Sequence, residues 1–208
     1  IGGPGANGDR MDMTVTWDKV GKLKEREDNK RLLVEAFNYD NLHRLDTSTL
    51  NSSPNLDVDY DAMGNILKKS DVGPVTWSYH PTKKHAVTAV PGMTFDYDAN
   101  GNQIKRNSDD IFWTSYNYPS FVKNGPRSHA YSYDGDRNRW KTIYNNGSSS
   151  ETTIHVGGIL EKRTEGSYTE YRHHIQAGNR TVALYTRASS GAPVTKYLLY
   201  DHQGNLTE

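Results

Sequence analysis

One pattern constrains this chain more than any other: an aromatic residue followed by aspartate, recurring ahead of a short run rich in Gly and Asn. It reads Trp17-Asp18-Lys19-Val20-Gly21, Tyr39-Asp40-Asn41-Leu42-His43 and Tyr60-Asp61-Ala62-Met63-Gly64. It returns as Tyr97-Asp98-Ala99-Asn100-Gly101, Tyr133-Asp134-Gly135-Asp136-Arg137 and Tyr200-Asp201-His202-Gln203-Gly204. Two wide gaps hold degraded copies, Trp77-Ser78-Tyr79-His80 and Trp113-Thr114-Ser115-Tyr116-Asn117. With Tyr79 and Tyr116 as aromatics, and His80 and Asn117 in the Asp place, the steps are 22, 21, 19, 18, 19 and 17 residues. A period near 20 over seven units is the signature of a repeat architecture.

One unit explains itself. Met93, Phe95 and Tyr97 alternate with Thr94 and Asp96, the two-residue period of a strand with one covered face. Asp98 suits the first place of a turn, where a carboxylate accepts from nearby backbone N–H groups. Gly101 is able to take the positive φ that a type I turn with a bulge requires. Each unit therefore reads as a β-hairpin too small to bury its own apolar face, and stacking against neighbours answers that need. After Asp134 the period lapses for 67 residues, but three further hairpins are legible. They are Trp140–Tyr144 with Thr152–Val156, Leu160–Thr164 with Tyr168–Ile175, and Thr181–Arg187 with Val194–Tyr200. Helix is arguable only over Lys19–Leu33, where Gly21 and the lack of an apolar stripe weaken it. The expected fold is all-β, with residues 1–145 as regular repeats and 146–208 as a continuous hairpin segment.

Composition narrows what such a chain can do. Leu, Ile, Val and Phe total 37 of 208 residues, a share low enough to raise disorder as an alternative. Disorder also needs high net charge, and here 25 basic residues balance 25 acidic ones. Fourteen Tyr and four Trp supply buriable surface, so an ordered but thinly cored structure is expected. Neutrality argues against nucleic acid as a partner. No apolar run approaches the length of a membrane span. The chain opens Ile1-Gly2-Gly3-Pro4 without Met and is expected to be an excised piece. With no Cys, disulfides and thiolate metal sites are excluded.

These residues resemble the RHS/YD-repeat proteins of bacteria, whose relatives include teneurins and the shell components of insecticidal toxin complexes. The resemblance rests on the aromatic–Asp copies and on Tyr79-His80-Pro81-Thr82-Lys83-Lys84-His85. It also rests on His155-Val156-Gly157-Gly158-Ile159-Leu160, on Thr169-Glu170-Tyr171-Arg172-His173-His174, and on the closing Tyr200-Asp201-His202-Gln203-Gly204-Asn205. It implies a curved, spiralling sheet of stacked hairpins that forms part of a hollow, cocoon-like shell around a C-terminal toxin payload. It further implies a secreted or cell-surface protein, partnered by the remainder of its own polypeptide or by another shell chain. In toxin-bearing members a following core segment carries self-cleavage, and this chain is expected to stop before it.

The remaining constellations carry little chemistry. Asp134, Asp136 and Asn138 have calcium-loop spacing, as do Asp98, Asn100 and Asn102, but the Gly and Glu that such loops require at later positions are missing. His173 and His174 are adjacent, so on a strand they face opposite ways. No nucleophile elbow, phosphate loop or dinucleotide fingerprint appears. No catalytic residue, metal ligand or cofactor is assigned, and the chain is read as non-enzymatic. A carbohydrate-binding or adhesion module is the alternative, since Tyr and Trp in a row are able to stack on sugar rings; no individual residue is assigned to that role. An enzyme is the weaker third reading.

Overall fold

The computed structural model describes residues 11–201 and 204–206. His202, Gln203, the residues after Leu206 and the opening Ile1–Pro4 lie outside the described residues. Among those described, 11–93 with 201, 204 and 205 form one compact unit, and 94–200 with 206 form a second.

The first unit holds β1 (Met13–Trp17), β2 (Leu23–Asp28), β3 (Leu33–Tyr39), β4 (Leu45–Leu50), β5 (Ser53–Tyr60) and β6 (Ile66–Lys69) in one sheet, in chain order. The hairpin of β7 (Ser78–Tyr79) and β8 (Val87–Val90) follows. The second unit opens with β9 (Met93–Tyr97), β10 (Gln103–Arg106), β11 (Asp109–Trp113), β12 (Pro119–Asn124) and β13 (Arg127–Tyr133). It continues with β14 (Arg139–Asn145), β15 (Ser150–Val156), β16 (Leu160–Glu165), β17 (Tyr168–Ala177), β18 (Arg180–Ala188) and β19 (Val194–Tyr197). Every strand pairing within each unit is antiparallel and joins consecutive strands, so the fold is all-β and its sheets do not close into a barrel.

Lys19–Leu33 is not helical. Leu23–Asp28 is the middle strand of β1-β2-β3. Its Arg26 lies directly opposite Glu35, and Nε donates to that carboxylate at 2.8 Å. Cross-strand charge pairing of this kind supplies what an apolar face would otherwise supply.

The core is as thin as the composition implies. Among the described residues only Val58 and Ala183 are buried apolar side chains, each 3% exposed. Leu32 and Tyr197 stand 78% and 76% exposed. Domains ordinarily bury one apolar layer against another. Here backbone ladders and cross-strand pairs hold each unit together, and most strand side chains are only half-buried.

Candidate functional site: the aromatic–aspartate turns

Seven turns share one construction. The N–H of the first residue donates to the carbonyl four residues on, at 2.8–3.0 Å, for Asp18, Asp40, Asp61, Asp98, Thr114, Asp134 and Asp201. The N–H of the fourth residue donates back to the first carbonyl at 2.9–3.1 Å. That fourth residue holds positive φ in each case: Gly21, His43, Gly64, Gly101, Asn117, Arg137 and Gly204. A pairing slip beside the aromatic accompanies the turn at Trp17, Tyr39, Tyr60, Trp113 and Tyr133, which is the bulge that such a turn brings to a hairpin.

The aspartate clamps the turn through both oxygens. Oδ1 of Asp18, Asp40, Asp61 and Asp134 accepts from the N–H groups two and four residues on, at 2.8–3.0 Å. Oδ2 meets the side chain four residues on: Arg44 Nε at 2.6 Å, Asn65 at 2.8 Å, Asn102 at 2.9 Å and Asn205 at 3.0 Å. These donors are part of the motif, and their recurrence at Asp plus four is visible in the sequence once that position is compared.

Such hydrogen bonds favour the charged carboxylate. The backbone N–H of Lys22 holds Asp18, and that of Arg44 holds Asp40, below the usual carboxylate range. The Asn102 amide does the same for Asp98. At Asp61 burial works upward and is outweighed by the Asn65 amide and the turn N–H groups, so it too is lowered.

The aromatic ties each turn to the one before it. Tyr39 OH donates to the carbonyl of Leu23, Tyr60 to Leu45, Tyr79 to Ile66 and Tyr133 to Pro119, all at 2.7–2.8 Å. Each acceptor is the first strand residue after the preceding turn. Tyr200 donates to Thr181 at 2.5 Å in the same manner. Burial pushes the phenols of Tyr39, Tyr79, Tyr97 and Tyr133 above their ordinary value. Cations cover two of the interlocking rings: Lys22 lies 4.8 Å from the Tyr39 centroid and Arg44 lies 4.3 Å from that of Tyr60. Neighbouring turns also touch directly, as in Lys22 Nζ to His43 Nδ1 at 3.0 Å and Asn102 Nδ2 to Asn117 Oδ1 at 2.8 Å.

The two degraded units differ from each other. His80 stands in the Asp place, its Nδ1 accepting from the N–H groups of Thr82 and Lys83 at 3.2 and 3.1 Å. In the sixth unit the frame sits three residues earlier than Tyr116-Asn117 suggests. Thr114 takes the Asp place, and its hydroxyl accepts from the N–H of Tyr118 at 3.0 Å. Trp113 is the aromatic, donating Nε1–H to the carbonyl of Gln103 at 2.8 Å. Tyr116 instead joins an edge-on cluster with Tyr118 and Tyr133, and Asn117 takes the positive-φ place.

A second concentration of polar groups lies on one face of β15–β17. Arg163 bridges Glu151 at 2.7 Å and Glu165 at 3.3 Å, and Arg172 bridges Glu170 at 2.9 Å and Glu161 at 3.3 Å. His155 Nδ1 lies 3.3 Å from Glu161. Glu151, Thr153, Glu161, Arg163, Glu170 and Arg172 line a hollow of about 200 Å³. Within the hollow, Glu151, Glu161 and Glu170 are each paired with an arginine. Among the described residues no cluster of three or more His, Asp or Glu is arranged to hold a metal ion. The turn oxygens of Asp98 and Asp134 point into their own turns. Among the described residues no helix is long and apolar enough to cross a membrane.

Fold and turns together define a β-hairpin repeat protein. No family model matches the chain, and no curated protein does. Among solved structures it is similar to a chain in the crystal structure of TcdB2-TccC3-Cdc42, with TM-score 0.45 and 12% identity over 94% of this chain. A chain of TcdB2-TccC3-TEV gives 0.46 and 13% over 93%. The present chain spans about 15% of the length of these chains.

Proposed function

We propose that this chain is a wall segment of a larger RHS/YD-repeat shell and that its role is structural rather than catalytic. The supporting observation is the interlock of the aromatics. Tyr39, Tyr60, Tyr79 and Tyr133 each fix their unit to the one before by a hydroxyl-to-carbonyl bond, Trp113 does so through its indole N–H, and the array carries almost no interior of its own. Such a sheet gains its stability unit by unit and is suited to cover area. Its open edge strands require pairing with more of the same polypeptide or with another shell chain. The proposal extends to the resemblance's implications: a secreted or surface location and a C-terminal toxin payload enclosed by the shell.

Sedimentation of the isolated chain over a range of concentrations tests the wall reading, with hydrogen exchange at β1 and β19. Concentration-dependent association, together with protection gained at those edges, is the expected result. A compact monomer whose edge amides are already protected overturns it.

A further inference from the structure

We propose that one face of β13–β19 is a docking surface for an extended acidic polypeptide, with carboxylates spaced about every third residue. Residues directly opposite in antiparallel strands share a face, so the register sorts the side chains. All four glutamates of β15–β17 (Glu151, Glu161, Glu165 and Glu170) fall on one face and are engaged there by Arg163 and Arg172. The opposite face, from Ser128 through Tyr197, contains no Asp or Glu among the described residues.

That face carries a single cross-strand row. Lys141 lies opposite Ile154, Ile154 opposite Lys162, Lys162 opposite Tyr171, and Tyr171 opposite Arg187. Cations thus alternate with apolar side chains across five strands. None of the three cations has a carboxylate within ion-pair distance among the described residues; Lys162 rests instead over the Tyr171 ring at 5.9 Å. The flanking apolar groups are open: Tyr171 is 39% exposed, Ile175 46% and Tyr185 36%.

Spacing and charge decide the occupant. Strands lie about 4.8 Å apart, so cations on alternate strands recur at about 9.6 Å. A polyproline-type chain repeats every three residues at about 9.3 Å, with one edge presented throughout. A carboxylate at every third residue therefore meets Lys141, Lys162 and Arg187 in turn, while the intervening residues cover Ile154 and Tyr171. Three cations set among apolar side chains are too sparse to neutralise the continuous charge of a nucleic acid. The same sheet of a second copy is a poor occupant, because the glutamates of its β15–β17 are already bridged by arginine. The inference does not rest on the wall reading, since the face exists whatever the sheet encloses.

The test uses the whole chain and a fluorescein-labelled peptide repeating Glu-Pro-Leu, about a dozen residues long, with anisotropy as the readout. Saturable binding that weakens with added salt is expected, and a Gln-Pro-Leu peptide should bind at least about tenfold more weakly. Lys162→Glu should weaken binding at least about tenfold. Lys196→Glu makes the same charge change on the other face of β19, opposite Leu184, and should leave it unchanged. Circular dichroism checks that both variants fold. Equal binding of the Gln peptide overturns the proposal, as does an equal loss in both variants. Tighter binding of a DNA duplex or of phosphatidylserine vesicles than of the Glu peptide also overturns it.

Discussion

Replacing Tyr133 with Phe removes one oxygen and leaves the ring in place. That hydroxyl donates to the Pro119 carbonyl at 2.8 Å, while the ring packs edge-on against Tyr118 with centroids 5.3 Å apart. The ring contact survives the substitution, so the loss is the hydrogen bond and the desolvated acceptor it leaves behind. Such a bond contributes about 0.5–1.5 kcal/mol, and at a half-buried site, where water reaches the carbonyl in part, the lower half applies. A loss of about 0.5–1 kcal/mol speeds amide exchange by about twofold to fivefold where opening is local. The effect should concentrate in β12, β13 and the turn at Thr114, because a repeat unit contacts only its neighbours. Residue-resolved hydrogen exchange at neutral pH measures it, with β17 and β18 as the internal reference. A uniform increase across the second unit, or none at β12–β13, would refute the interlock as the element that holds successive hairpins.

The lowered aspartates and raised phenols set both ends of the pH range. Asp18, Asp40, Asp61 and Asp98 bind protons more readily unfolded, so stability present at neutral pH should fall below about pH 4. Tyr39, Tyr79, Tyr97 and Tyr133 ionise more readily unfolded, so stability should also fall as pH rises past about 10; urea midpoints across pH 3–11 that stay flat at either end would contradict the assignment. Gly101→Ala should destabilise by about 1–2 kcal/mol through its φ of +90° alone, since a Cβ there meets nothing within 4 Å. Gly147→Ala should cost more, because its Cβ would also lie 3.1 Å from Pro126; thermal melts of the pair give the order. Thr114→Asp restores the second oxygen of the clamp and should stabilise the second unit by about 0.5–1 kcal/mol; a lower melting temperature would show that Thr114 does not occupy the Asp place.

Much of the turn was legible because its chemistry is local. Asp98 and Gly101 lie three residues apart, and carboxylate geometry with positive φ acts over that distance whatever surrounds it. The donors four residues after the aspartate, Asn65, Asn102 and Asn205, are equally visible in the sequence, but Asn in a turn carries no signal of which oxygen it meets. The frame of the sixth unit was ambiguous for a different reason. Trp113 and Tyr116 each precede a polar residue, and only the opposition of Trp113 to Pro119 distinguishes them.

From the sequence alone came the all-β class, the repeat, the hairpins after Asp134 and the thinness of the core, since each follows from spacing or composition. Only the tertiary structure decided where each tyrosine hydroxyl goes and which face of β13–β19 is left without carboxylates. Both depend on the register between strands, and a shift of one residue would move every side chain to the other face. That register is a property of paired strands, summed over turns and bulges, and no single stretch of residues contains it.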